Sequence, residues 1–144
     1  EQDRIICHLS GNNDSRNLKP GERTVWTKGG RERTIEILPV NNERLCEILS
    51  RYQSDEKICS KIPDRIDIHG IRSMYACDLY QAFARPIEQI SPKERTIENG
   101  EDCPSRYRDA QGKVWDRRAL LRVSASLGHD RSSVVVASYM WRLR

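Results

Sequence analysis

Five polar residues have types and spacings that suit chemistry at a phosphoryl centre. They are a lysine beside a Gly-Gly turn, two residues one helical turn apart, a histidine after a helix-ending glycine, and a tyrosine ten residues later: Lys28, His69, Arg72, His129 and Tyr139. Hydrogen-bond donors around a phenol suit an anionic phosphoryl group, where catalysis is mainly positioning and charge stabilisation. The sequence has no Gly-x-x-x-x-Gly-Lys, which gives no support to P-loop nucleotide hydrolysis, and no His or Cys pair with zinc-ligand spacing, so no metal is indicated.

Hydrophobic patterning predicts the elements that position these residues. Two β-prone runs within residues 24–38 flank a Gly-Gly turn and predict an antiparallel hairpin with Lys28 beside the turn. Pro39 is expected to end the second strand, and Asn41 or Asn42 to cap a helix. The predicted buried face of that helix consists of Leu45, Ile48, Leu49 and Tyr52.

A longer helix is predicted from the cap Asp67 to about Arg85. Its predicted apolar stripe consists of Ile68, Ile71, Tyr75, Leu79, Ala82 and Phe83. His69 and Arg72 lie three residues apart on the adjoining face, so they are expected to point the same way.

The C-terminal third combines a hairpin with two helices. Residues 86–115 interrupt the helical pattern, and within them a second hairpin is predicted over 106–115 around a Gly-containing turn. Asp116 is expected to cap a helix that Gly128 ends, and a last helix contains Tyr139. The predicted fold is one mainly α-helical α+β domain with a small antiparallel β-sheet.

Composition excludes several classes of protein. The chain has 144 residues, 37% of them hydrophobic, and no apolar run approaches the roughly 20 residues that cross a bilayer. No secretory signal is visible at the charged start of the chain. The five cysteines are odd in number, widely spaced and without a Cys-x-x-Cys, so we expect reduced thiols in a cytoplasmic protein.

Positive charge is concentrated in two segments. The formal net charge is +4, but residues 16–33 contribute +4 and residues 105–144 contribute +6, while the rest of the chain is acidic. If folding brings the two segments together, they form one basic surface for a polyanion.

Three segments share motifs with one enzyme family. They are His69-Gly70-Ile71-Arg72, then Leu127-Gly128-His129 followed by Tyr139, and the Val-Trp-Thr-Lys-Gly-Gly-Arg-Glu-Arg of residues 25–33. They resemble the His-x-x-Arg box, the Leu-Gly-His with the nucleophilic tyrosine, and the lysine-bearing β-hairpin of the tyrosine recombinases, the phage and transposon integrase family. The three occur in the family's order and together span residues 24 to 141.

The resemblance implies a DNA breaking-rejoining catalytic domain that catalyses site-specific DNA recombination or integration. In it, Tyr139 attacks a DNA phosphodiester, forming a 3′-phosphotyrosyl link and releasing a 5′-hydroxyl. Arg72 and His129 would hold the phosphate oxygens, His69 would accept the phenol proton, and Lys28 would protonate the departing 5′-oxygen. The implied partners are double-stranded DNA and further copies of the full-length protein, as a tetramer on DNA, with no cofactor, no metal and no membrane. The residues expected to contact DNA are Arg31, Arg33, Arg106, Arg108, Lys113, Arg117, Arg118 and Arg131.

The chain departs from the family pattern in two places. The first catalytic arginine of the family, in a Gly-x-Arg-x-x-Glu segment before the hairpin, has no match here. We therefore interpret residues 1–144 as a partial C-terminal catalytic domain, and expect this piece alone to cleave DNA poorly or not at all. The interval between Arg72 and His129 is also long, which indicates an insertion at about 86–115. That insertion either adds phosphate contacts or touches a neighbouring protomer.

Each motif also has an ordinary interpretation. His69 and Arg72 fit a surface pair on an amphipathic helix, Lys28 a polar turn residue, Tyr139 core packing, and His129 a contact at a helix C-terminus. Their joint occurrence favours the recombinase function. Two alternatives remain open: a DNA-binding module that has lost catalysis, and a type IB topoisomerase-like enzyme that relaxes supercoils by the same phosphotyrosine chemistry.

Overall fold

Helices and short antiparallel strands make up the computed structural model, which describes residues 22–26, 32–51, 63 and 65–143. The mixed α+β class predicted from the sequence is confirmed. The chain divides into two compact units, Glu1–Ile66 and Asp67–Arg144. Of the helices that the structure describes, none combines the length and apolar character needed to cross a membrane.

The first unit contains the predicted hairpin and one helix. Strand β1 (Glu22–Trp26) pairs antiparallel with β2 (Glu32–Glu36), which confirms the hairpin. Its turn, with Lys28, lies outside the described residues. Helix α1 (Pro39–Leu49) begins earlier than predicted, because Pro39 occupies its first turn. A proline there has no N–H to leave unpaired and a φ angle already suited to a helix, so it starts α1 instead of ending β2.

The second unit contains three α-helices and two two-stranded antiparallel hairpins. Its elements are α2 (Ile68–Phe83), a short 3-10 helix (Ile87–Gln89), β3 (Arg95–Glu98), β4 (Glu101–Pro104), β5 (Arg106–Arg108), β6 (Val114–Asp116), α3 (Arg117–Leu127), α4 (Ser132–Tyr139) and a closing 3-10 helix (Met140–Leu143). In this unit β3 pairs with β4 and β5 with β6, so with β1–β2 the described strands form three separate sheets and not the single small sheet predicted. Helices α2, α3 and α4 pack against one another. The least exposed apolar residues there include Ala76, Leu79, Leu120, Val123, Val135, Val136 and Met140.

The predicted apolar stripe of α2 is confirmed at Leu79, which is fully buried, and is wrong at Ile68, Ile71 and Ala82, which are exposed. Ile68 is 42% exposed and Ile71 is 52% exposed. The buried residues are Ser73, Ala76, Cys77, Leu79 and Tyr80. Most of these continue, at helical spacing, the face that begins with His69 and Arg72. The N-terminal half of this face contains polar residues, because His69 and Ser73 form hydrogen bonds with α4 there.

The segment between α2 and α3 is built from hairpins. The predicted β5–β6 hairpin is confirmed, with Tyr107 opposite Trp115. The β3–β4 hairpin was not predicted, although its turn has a usable signal. Asn99 and Gly100 both have positive φ angles, 53° and 81°, as a tight two-residue turn requires, and Asn-Gly is the sequence most typical of such turns.

Trp115 anchors the β5–β6 hairpin in the core. Its side chain is almost completely buried, and its ring meets that of Tyr80 edge-on with centroids 5.3 Å apart. The indole N–H donates to Oδ2 of Asp109 at 2.9 Å. The other oxygen of Asp109 accepts the backbone N–H groups of Gln111 and Lys113, which closes the hairpin turn. One buried carboxylate thus ties the turn to the core residue that it must position.

Asp116 joins the hairpins to α3. Its side chain is 1% exposed. It caps α3 by accepting a hydrogen bond from the backbone N–H of Arg118, and it accepts a second one from Nε of Arg85 at 2.9 Å. The Asp116 backbone N–H donates to the hydroxyl of Tyr80 at 2.9 Å. Burial acts to raise the pKa of Asp116, but the hydrogen bonds from Arg85 outweigh it, so the pKa lies below its ordinary value. The buried group is therefore an ionised carboxylate at neutral pH.

Asp116→Asn should lower the free energy of unfolding at pH 7 by about 2 kcal/mol, because the amide retains the shape but not the charge that Arg85 pairs with. A lowered folded-state pKa stabilises the fold above the unfolded pKa of about 4 and stops doing so as the pH falls through the folded value. The difference from wild type should therefore shrink at acidic pH. Urea unfolding of the variant and of wild type, at pH 7 and at an acidic pH, measures this difference in the free energy of unfolding.

Asp102→Asn is the matched control, because the Arg95–Asp102 ion pair is largely exposed and exposed pairs contribute little. Equal destabilisation by the two substitutions would contradict the role assigned to Asp116.

Candidate active site

The first turn of α2 is fixed by its own sequence. Asp67 caps the helix by accepting the backbone N–H of Gly70 at 2.8 Å. A Cβ atom at position 70 would collide with the carboxyl group of Asp67, so glycine is needed for this cap to close. The capped turn places His69 and Arg72 on one side of α2, as the sequence predicts.

His69 contacts the last turn of α4. Its Nε2 atom lies 3.1 Å from the carbonyl oxygen of Ser138. Because a carbonyl only accepts hydrogen bonds, Nε2 must carry a proton in this contact. The imidazole centroid lies 5.2 Å from that of the Tyr139 ring. The histidine of the His-x-x-Arg box is therefore beside the tyrosine, with its ring nitrogen bonded to the backbone next to it.

Arg72 links the same tyrosine to the end of α3. Its Nη2 donates to the carbonyl oxygen of Leu127 at 3.1 Å, and its guanidinium carbon lies 5.7 Å from the centroid of the Tyr139 ring. The side chain is half-buried. A guanidinium has five N–H donors in a planar fork, a geometry that matches phosphate oxygens.

Gly128 turns the chain so that His129 reaches the tyrosine. Gly128 ends α3 with a φ of 77°, and the backbone N–H of His129 donates to the carbonyl of Ser124 at 2.8 Å. This is the usual glycine-terminated helix end, in which the left-handed residue satisfies the last carbonyls. The Nε2 atom of His129 lies 3.1 Å from the phenolic oxygen of Tyr139. The Leu-Gly-His motif is thus a helix stop that aims an imidazole at the phenol.

Tyr139 is the last residue of α4 and is 7% exposed. Its carbonyl oxygen accepts hydrogen bonds from Oγ of Ser73 at 2.5 Å and from Sγ of Cys77 at 3.4 Å. Burial raises the pKa of the Cys77 thiol, which keeps the proton that this contact uses. Sequence reasoning missed both donors. The available signal was their spacing, since they follow His69 by four and eight residues on one helix face.

Four of the five residues assigned to chemistry are therefore brought together: His69, Arg72 and His129 lie around the phenol of Tyr139. They come from α2, the turn after α3, and α4. The fifth, Lys28, lies outside the described residues, as does Arg31. Arg33 lies in β2 opposite Val25.

Two of the residues assigned to DNA are not exposed and make contacts inside the second unit. Nε of Arg106 donates to the carbonyl oxygen of Ile90 at 2.8 Å. Arg117 is paired with Glu98, and both side chains are mostly buried. These guanidiniums stabilise the second unit, a use that the sequence pattern of basic residues did not reveal.

The other four residues assigned to DNA are exposed. Arg108 donates to the carbonyl of Gly112 in its own hairpin, Lys113 donates to the carbonyl of Leu143, and Arg118 lies 3.5 Å from Glu94. Arg131 is the residue before α4. Their side chains are at the surface, where a polyanion has access to them.

Within the described residues, no three His, Cys, Asp or Glu side chains are grouped so that they could hold a metal ion. No protein-family model, no curated protein and no solved structure matches the chain.

Gly128→Ala should destabilise the protein by about 1 kcal/mol, because a side chain is strained at a φ of 77°. Gly128→Asn should destabilise the protein less, since asparagine tolerates the left-handed conformation better than alanine. Urea unfolding of the three proteins tests the order. An alanine variant as stable as wild type would show that the left-handed turn before His129 is not required.

Proposed function

We propose that this chain contains the tyrosine-bearing part of a catalytic domain of the tyrosine recombinase type, with the DNA breaking-rejoining fold, and that the full-length protein cleaves and rejoins DNA through a 3′-phosphotyrosyl intermediate. The observation that carries the proposal is the grouping of His69, Arg72 and His129 around Tyr139. These residues were selected from sequence motifs alone, and the two sides of the site are separated by more than fifty positions in the chain.

The proposed reaction is a transesterification. The phenolic oxygen of Tyr139 attacks the phosphorus of a DNA phosphodiester, the bond from phosphorus to the 5′-oxygen breaks, and the 5′-oxygen leaves as a hydroxyl after it receives a proton. The guanidinium of Arg72 binds the non-bridging oxygens, where negative charge develops. The resemblance assigns the donated proton to Lys28. Rejoining is the reverse attack by a 5′-hydroxyl, so the bond energy is retained without a cofactor.

The geometry favours His129 over His69 as acceptor of the phenol proton. Nε2 of His129 is within hydrogen-bond distance of the phenolic oxygen, whereas Nε2 of His69 donates to the backbone of Ser138. A general base must reach the proton that it removes. In the proposal, His129 accepts the proton through Nε2, and His69 holds the last turn of α4. This exchanges one of the roles expected from the family pattern.

Tyr139→Phe should abolish covalent attachment to DNA. The full-length protein is incubated with nicked double-stranded DNA whose sequence around the nick is randomised, and the adduct is detected under denaturing conditions and mapped to the peptide that contains residue 139. Tyr107→Phe is the matched control, because it removes a phenol hydroxyl from strand β5 of the same unit. This variant should form the adduct as wild type does.

The outcome also separates the two alternatives. DNA binding with no adduct in wild type, and with no change in Tyr139→Phe, indicates a binding module. Relaxation of supercoiled plasmid without a site requirement, lost in Tyr139→Phe, indicates a topoisomerase-like activity.

His129→Ala should slow adduct formation by about 100-fold at neutral pH. The deficit should shrink as the pH rises, because hydroxide replaces the imidazole in removing the phenol proton. His69→Ala should slow adduct formation by a smaller factor, and that factor should not change with pH. Initial rates of adduct formation across a pH series test this assignment, and the opposite pattern would return the proton acceptor to His69.

A further inference from the structure

The β3–β4 hairpin brings a carboxylate to the beginning of α4. Glu98, the last residue of β3, accepts both the backbone N–H and the Oγ–H of Ser132 at its Oε1 atom, each at 2.7 Å. Ser132 is the first residue of α4, and the preceding residue, Arg131, makes no side-chain cap. Helix starts have unpaired N–H groups and favour negative charge, so Glu98 supplies from another element the cap that the local sequence lacks.

The second oxygen of Glu98 is bound at the beginning of α3. Oε2 is paired with Nη1 of Arg117, whose guanidinium carbon lies 5.0 Å from the centroid of the Tyr107 ring. The Glu98 side chain is only 10% exposed. Burial acts to raise the pKa of Glu98, but hydrogen bonds from Ser132 and Arg117 outweigh it, so the pKa lies below its ordinary value. One ionised, buried group therefore joins the hairpin, α3 and α4.

The position of this contact along α4 gives it a consequence for Tyr139. Helix α4 has only eight residues, so Ser132 and Tyr139 are its first and last, about 10 Å apart along the axis. Val135 and Val136 between them are buried. We expect a helix this short to move as one body, so that a shift at Ser132 displaces the phenol.

We infer that Glu98 is a positioning residue that fixes α4 through Ser132, and so holds the phenol of Tyr139 in place. The function of the hairpin segment within residues 86–115 is then to present Glu98 to α4 in the same chain. The inference rests on the proposed function where it concerns DNA cleavage, and on geometry alone where it concerns the placement of α4.

The contacts of two neighbouring arginines support this assignment. Arg106 binds the carbonyl of Ile90 and Arg117 binds Glu98, so these two cations hold the segment to its own unit. Arg108 and Lys113 of the same segment are exposed, and they are cations there that can contact phosphate or another protomer.

Glu98→Ala should slow adduct formation with the randomised nicked DNA about tenfold to a hundredfold, because a nucleophile displaced by about 1 Å reacts poorly. The affinity for the same DNA should stay within about twofold of wild type, since Glu98 lies inside the protein and has the wrong charge for phosphate. Amide hydrogen exchange over residues 132–139 should become faster than in wild type. All measurements are made well below the unfolding temperature.

Glu101→Ala is the matched control, because Glu101 is the exposed cross-strand neighbour of Glu98 in the same hairpin, and it should change none of the three measurements. Ser132→Ala removes one of the two hydrogen bonds and keeps the backbone one, so it should give a smaller loss of rate. If Glu98→Ala does not fold, the rate and the hydrogen exchange of Ser132→Ala test the role of Glu98 instead.

The exchange measurement needs no DNA, so it separates the two proposals. If wild type forms no adduct, the proposed function fails, and faster exchange in the variant still supports the positioning of α4. Unchanged exchange over 132–139 overturns the inference. A rate equal to wild type, or a loss of rate matched by an equal loss of DNA affinity, overturns it as well.

Discussion

The backbone carbonyl of Tyr139 is the point on which the candidate active site depends. The last carbonyls of a helix have no partners inside that helix, and a buried carbonyl must be hydrogen-bonded. Here α2 provides the donors, Ser73 and Cys77, so the end of α4 is held against α2 by the same contacts that satisfy its backbone. His69 and His129 then bond the neighbouring carbonyl and the phenol itself. The packing of α2 on α4 and the placement of the tyrosine are therefore one structural feature, and a change in either alters the other.

Electrostatics in the second unit divide its arginines into two groups with different physical roles. Arg85 and Arg117 are paired with the buried carboxylates Asp116 and Glu98, which cap α3 and contribute the first contact of α4. Such pairs are sensitive to the loss of either partner, because the remaining charge is left without compensation in a poorly solvated place. Exposed cations such as Arg131 are not paired with these buried carboxylates, and they are the ones accessible to a polyanion. The positive net charge of the C-terminal segment consequently overstates the number of cations that could contact DNA.

Sequence patterns predicted the elements that local chemistry controls. Asp67 and Asp116 cap their helices and Gly128 ends α3, because capping and left-handed turns depend on residues within one helical turn of each other. The buried face of α2 was not predictable from the spacing of apolar residues, since Ile71 is exposed and Ser73 is buried. What decides that face is its neighbour: α4 presents carbonyl groups there, and polar donors are more favourable against them than an apolar side chain.

The sequence by itself identified His69, Arg72, His129 and Tyr139 of the candidate active site, the helix starts and stops beside them, and the α+β class, but not the donors Ser73 and Cys77. Only the tertiary structure decided which imidazole reaches the phenol and which carboxylate completes the start of α4. The reason is the range of the interactions. A cap or turn involves atoms that the chain already holds close together, whereas Glu98 and Ser132 are 34 residues apart and His69 and Ser138 are 69 apart. Contacts of that separation follow from how whole helices and hairpins pack, and no local pattern encodes them.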